Sequence, residues 1–101
     1  MPKLHVAFKD GFANDEVAVR VNGVEVFRRA GVTTKHQISY ADSSETDAPV
    51  GETTVSVQVV TKHQSVSIPL RLREATYIGI SLDENGHVMT PEVSAQPFGY
   101  A

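Results

Sequence analysis

Apolar residues fall at every second position through most of this chain, and that spacing constrains it to strands. Alternate side chains on a strand point to opposite faces, so a period of two marks a sheet with one face buried. In Glu16-Val17-Ala18-Val19-Arg20-Val21 the three valines share a face. Asn22-Gly23 follows, and a two-residue type I′ turn needs the positive φ that this pair supplies. Val24-Glu25-Val26-Phe27-Arg28 then returns, with Val24 and Val26 expected on one face and Glu25 on the other. The pattern predicts a β-hairpin.

The same rule reads along the rest of the chain. In Thr53–Val60, Val55, Val57 and Val59 face one way. In Ser65–Leu72, Val66, Ile68, Leu70 and Leu72 do so, and Pro69, which cannot donate to a ladder, argues for an edge strand or a bulge. Thr76–Leu82 turns Ile78, Ile80 and Leu82 inward, and Asp83-Glu84-Asn85-Gly86 is a second hairpin turn leading into His87-Val88-Met89. Lys3–Phe8 is a first strand and Val32–Tyr40 a weaker one. Residues 41–51, with Asp42, Glu45 and Asp47, carry no stripe of either period and are expected to form an acidic loop. Residues 91–101 hold Pro91, Pro97 and Gly99 and are expected as an extended tail.

About eight short strands with no helical stripe predict an all-β fold: one antiparallel β-sandwich domain, immunoglobulin-like, transthyretin-like or jelly-roll-like. A small β-barrel is the alternative. With no Trp and no Cys, the markers of a true immunoglobulin domain are missing. Val19-Arg20-Val21-Asn22-Gly23 followed by Gly51-Glu52-Thr53-Thr54-Val55-Ser56-Val57 is similar to a pattern in small bacterial sandwich repeats, where a V-x-V-(N/D)-G hairpin precedes a G-x-(H/T)-x-V-x-V strand. The resemblance spans about half the chain and implies the same sandwich fold.

Composition removes several function classes. A chain of 101 residues is one domain. Without Cys there is no disulfide framework and no thiolate zinc site. The formal charge is −3, and the only close basic groups are Arg28-Arg29 and Arg71/Arg73. That is too few to neutralise a phosphate backbone, so no nucleic-acid partner is expected. No apolar run reaches the ~20 residues of a membrane span, and no signal segment opens the chain. The expectation is a soluble, cytoplasmic protein.

No catalytic constellation is present. There is no G-x-S-x-G elbow, no G-x-G-x-x-G and no G-x4-G-K-[ST]. Polar outward faces of strands account for the Ser and Thr content, and no enzyme is expected. One motif is repeated: Thr34-Lys35-His36-Gln37 returns as Thr61-Lys62-His63-Gln64. The flanks do not match, so the tetrapeptide is no internal repeat. As a metal or ligand site it would need His36 and His63 to meet, since imidazole is a common neutral ligand. Polar turn residues used twice are the simpler account.

The remaining candidates are weak cation ligands and aromatic contacts. Asp42, Glu45, Asp47 and Asp83 carry the oxygens that Ca²⁺ takes, and Tyr40 is the available sugar platform. Tyr77 stands outward beside Gly79 and Ser81, a shallow face on which the tail residues Phe98 and Tyr100 would pack, in their own subunit or another. The expectation is a non-enzymatic sandwich that works through protein contacts or self-association as a homo-oligomer. The alternative is a carbohydrate- or calcium-binding sandwich.

Overall fold

A computed structural model of the chain describes residues 2–35, 37–38 and 40–96. Eight strands form two four-stranded sheets. The strands are β1 (Lys3–Phe8), β2 (Asp15–Val21), β3 (Val24–Val32), β4 (Asp42–Asp47), β5 (Gly51–Val59), β6 (Gln64–Leu72), β7 (Thr76–Ile80) and β8 (Glu92–Ser94). One sheet has the order β4-β1-β7-β8 and the other β3-β2-β5-β6. They pack face to face as a sandwich; neither closes into a barrel. Every pairing is antiparallel except β1 with β7, which run parallel from Leu4↔Thr76 to Phe8↔Ile80. Among the described residues no helix is long and apolar enough to cross a membrane.

The alternation does what the sequence implies. Val17, Val19, Val55, Val57 and Val59 from one sheet meet Leu4, Val6, Phe8, Ile78 and Ile80 from the other, all fully or almost fully buried. Each side chain moved from water into that layer is worth roughly 1.5–3 kcal/mol. Asn22 and Gly23 both take positive φ, +50° and +84°, as a type I′ hairpin requires. Pro69 stands in β6, which is indeed a sheet edge.

Five elements depart from the sequence reading. Residues 42–47, expected as an acidic loop, form strand β4 against β1. Val32–Tyr40 is not a strand: β3 ends at Val32, and Lys35 and Tyr40 close a turn as an isolated bridge. His87–Met89 contributes only the bridge Leu82↔Val88, whereas Glu92–Ser94, expected as tail, pairs with β7. In β3 a register shift between Val19 and Arg20 inserts Val26 as an extra residue. The bulge turns Phe27 to the core and leaves Val24 65% and Val26 38% exposed, so the two valines do not form the buried face.

The connection from β1 to β2 carries the chain from one sheet to the other and is pinned throughout. The Lys9 and Leu82 amides exchange backbone bonds with this region, Lys9 N to Ile80 O at 2.8 Å and Leu82 N to Asp10 O at 2.8 Å. Gly11, at φ +89°, lies so close to the Leu82 carbonyl that a Cβ would collide with it. Thr34 is buried; its hydroxyl donates to Lys9 O at 2.6 Å and accepts from Phe12 N at 3.0 Å. Asp15, 1% exposed, accepts from Ala13 N at 2.9 Å and from the Thr61 hydroxyl, with Lys62 Nζ 3.7 Å away.

Thr34→Val keeps the shape but orphans the buried Phe12 amide, and is expected to cost roughly 1–3 kcal/mol. Ser44→Ala is expected to act oppositely, leaving stability unchanged or raised, because the buried Ser44 hydroxyl has no hydrogen-bond partner among the described residues. Urea unfolding of the two variants measures both. A Thr34→Val variant as stable as the parent would remove the hydroxyl from this account.

Candidate functional site

Four strands end the two sheets: β3 and β4 on one side of the sandwich, β6 and β8 on the other. A free strand edge is a template for another chain, and proteins blunt such edges with bulges, inward charges or short length. The β3/β4 side carries these devices. β3 has two register shifts against β2. Its outward Arg28 binds Glu16 and Glu25, and that guanidinium holds the Glu25 carboxyl below the usual range. Arg29, in register with inward Val17, reaches across to Asp42 of β4 at 2.7 Å and lies 5.3 Å from the centre of the Phe27 ring. Phe27 stacks on Phe8 at 6.0 Å. An ion pair over an aromatic floor thus closes this side.

The β6/β8 side is built differently. β6 is nine residues long and, among the described residues, has no partner beyond β5, while β8 has three residues. The short strand leaves part of the apolar face uncovered. Val93 is 48% exposed, and Val66 and Leu70 are half-buried. A depression of about 270 Å³ runs between the two edges, over Leu70, Leu72, Thr76 and Val93, with Arg71 and Arg73 on its rim. A second one, about 590 Å³, adjoins it through Leu70 and Arg71 and extends over Thr54 and Pro69. Arg71 lies 3.8 Å from Glu52, with both side chains well exposed, so this contact holds little. This side is the candidate site; the sequence marks Leu70 and Leu72 as inward-facing and Arg73 as basic, gives none of them a site role, and places Val93 in the expected tail.

The residues that were singled out do not converge. Asp42 and Asp47 differ by an odd number along β4 and point to opposite faces. Asp42 is taken up by Arg29, and Asp47 by Lys3 at 2.9 Å, which holds its carboxyl below the usual range. Glu45 faces His5 at 3.7 Å. Asp83 accepts the backbone amides of Asn85 and His87, each at 2.9 Å, and the His87 bond is the main cause of its lowered pKa. Among the described residues no three His, Asp or Glu side chains group to hold a metal ion. Tyr40 shares a hydrogen bond with Ser43 at 3.0 Å. Tyr77 is stacked on His5, ring centres 4.4 Å apart, within an outward row Glu45-His5-Tyr77-Ser94 that crosses its whole sheet. Phe98, Tyr100 and His36 lie outside the described residues.

The repeated tetrapeptide has a physical explanation in its threonines. Thr34 and Thr61 each donate to one acceptor and accept from one amide of the same stretch, residues 9–16: Thr34 from Phe12 N, and Thr61 from Glu16 N at 3.3 Å. Thr61 and Lys62 belong to a 3-10 turn, and His63 ends it in the left-handed region at φ +53°. His63 is exposed there and serves as a turn residue.

Stability should follow the carboxylates in acid. Glu25, Asp47 and Asp83 have folded pKa values below their unfolded ones, so their contribution is complete above the unfolded values, about pH 4, and is lost as pH falls through the folded ones. Thermal midpoints measured from pH 7 to pH 2 are expected to drop below about pH 4. Asp83→Asn should start lower at pH 7 and fall less steeply. An acid limb of unchanged steepness in that variant would mean that Asp83 does not contribute to it.

A scan against protein-family models, a search of curated proteins and a search of solved structures each return no match for this chain.

Proposed function

We propose that this chain is a non-enzymatic β-sandwich module that works through protein contacts made by its β6/β8 side. One observation carries the reading: among the described residues, β6 is the one sheet edge both long and regular, and it borders an apolar depression that none of them covers. Exposed apolar surface beside an unpaired edge suits an extended segment of protein chain. Backbone groups of the edge would supply affinity, and Leu70 and Val93 would receive side chains. Arg73, which makes no ion pair among the described residues, adds a preference for a carboxylate at the rim.

A photocrosslinking residue placed at Val93 should yield discrete protein adducts in cell extract, and adding Leu70→Lys should abolish them. The same residue placed at Glu45, on the outer face of the other edge, should yield none. Adducts of equal yield at both positions would overturn the reading.

A second reading, carbohydrate binding, is favoured by a different feature. The outer face of the β2-β5-β6 region holds a polar depression of about 240 Å³ lined by Ala18, Arg20, Ser56, Gln58, Ser65 and Ser67. Hydroxyl, amide and guanidinium groups are donors and acceptors suited to sugar hydroxyls. Binding on a glycan array that Arg20→Ala reduces at least tenfold would support it, and binding unaffected by that change would exclude this face.

A further inference from the structure

The β6 edge matches a second copy of itself, and this inference rests on the contact role given to that side above. We infer that two chains associate through β6 alone, antiparallel about a two-fold axis at Ile68. The result would extend β3-β2-β5-β6 into one continuous eight-stranded sheet.

Three features of β6 support this partner. The first is symmetry of pattern. Ile68 is the midpoint of Gln64–Leu72, and Val66 and Leu70 stand symmetrically two residues to either side of it, with Gln64 matching Leu72 at the ends. The axis at Ile68 sets Val66 opposite the partner's Leu70 and Ile68 opposite the partner's Ile68, all on the core-facing side. Val66 and Leu70, half-buried in one chain, become covered. The outward row pairs Ser65 with the partner's Arg71 and Ser67 with the partner's Pro69. No like charges meet.

The second feature is Pro69. Alternate residues of an antiparallel strand direct both backbone groups to the same side. A proline is accommodated in an edge strand where its absent N–H would face outward. Ser65, Ser67, Pro69 and Arg71 then present their backbone groups to the open edge. With the axis at Ile68, Ser65 and the partner's Arg71 exchange both bonds, and Ser67 still donates to the partner's Pro69. Moving the axis to Pro69 would set two prolines face to face without a donor. Moving it to Ser67 would set His63 against the partner's Arg71. Pro69 therefore excludes the register centred on itself, and the basic pair His63 and Arg71 disfavours the one centred on Ser67.

The third feature is the state of the other edges. β3 is bulged and laced with ion pairs, β4 turns Asp42 inward against Arg29, and β8 offers three residues. An isologous contact uses the same patch on both chains, and β6 is the edge able to serve that way.

The test uses the full chain, whose lack of Cys permits single spin labels. Sedimentation across a concentration series should show a monomer–dimer equilibrium. Labels at Ser67→Cys sit two residues out of register with each other, an offset of about 7 Å, and labels at Ser65→Cys or Arg71→Cys six residues, about 20 Å. Dipolar spectroscopy should therefore give the shortest distance at 67 and longer, similar ones at 65 and 71. Ser67→Pro, which removes a remaining donor, should weaken the dimer at least tenfold, with folding checked by its melt. A monomer at every concentration, or a dimer with shorter distances at 65 than at 67, would overturn the inference. If the chain is monomeric while crosslinks at Val93 still depend on Leu70, the second copy is excluded and the contact role stands. If both fail, both are excluded.

Discussion

Everything in this sandwich hangs on the crossing from β1 to β2. Two sheets pack usefully only if one chain segment sets their separation and angle, and here that segment is residues 9–15. Three distant parts of the chain fasten it. The Ile80–Leu82 strand end bonds its backbone, Thr34 holds it from the end of β3, and Thr61 and Lys62 meet Asp15 from the turn before β6. Phe12 is buried within it, edge-on to Phe8 at 5.6 Å. Buried polar groups stabilise only when satisfied, and both Thr34 and Asp15 are.

The sequence foretold the inner strands because burial of one face imposes alternation. Val17-Val19-Val21 and Val55-Val57-Val59 lie in the middle of their sheet and show it without a break. It misled at the margins, where that pressure fades. β4 reads Asp-Ser-Ser-Glu-Thr-Asp, with no apolar residue, because an edge strand at the rim can pair by backbone alone. β8 is too short to show any period. Val24 and Val26 alternated correctly, yet the bulge at Val26 reset the register before Phe27. The candidate site was illegible for another reason. Which strands lie at the edges follows from strand order, and strand order depends on pairings between residues far apart in sequence. Pro69 was the one local clue that pointed to it.

The two sides of the molecule differ in physical character. On the β3/β4 side, Arg29–Asp42 places charge where another strand would otherwise meet apolar surface, and Lys3–Asp47 adds a second pair on the outer face. Such exposed pairs add little to stability, because water and salt screen them. Their effect is on which neighbours the surface accepts, since an incoming strand would have to desolvate them. On the β6/β8 side, the half-exposed Val93 and the partly covered Leu70 carry no such penalty.

The parallel pairing of β1 with β7 has a consequence for how the chain is made. β1 lies inside its sheet, between β4 and β7, so one of its two ladders is completed only when Thr76–Ile80 has been synthesised. Contacts between segments so distant in sequence slow folding, because a long loop must close before they form. The hairpins β2-β3 and β5-β6 can form as they emerge, whereas the first strand waits for one of the last. For much of synthesis, the buried residues Leu4, Val6 and Phe8 would lack that neighbour, an interval in which a chaperone could bind them.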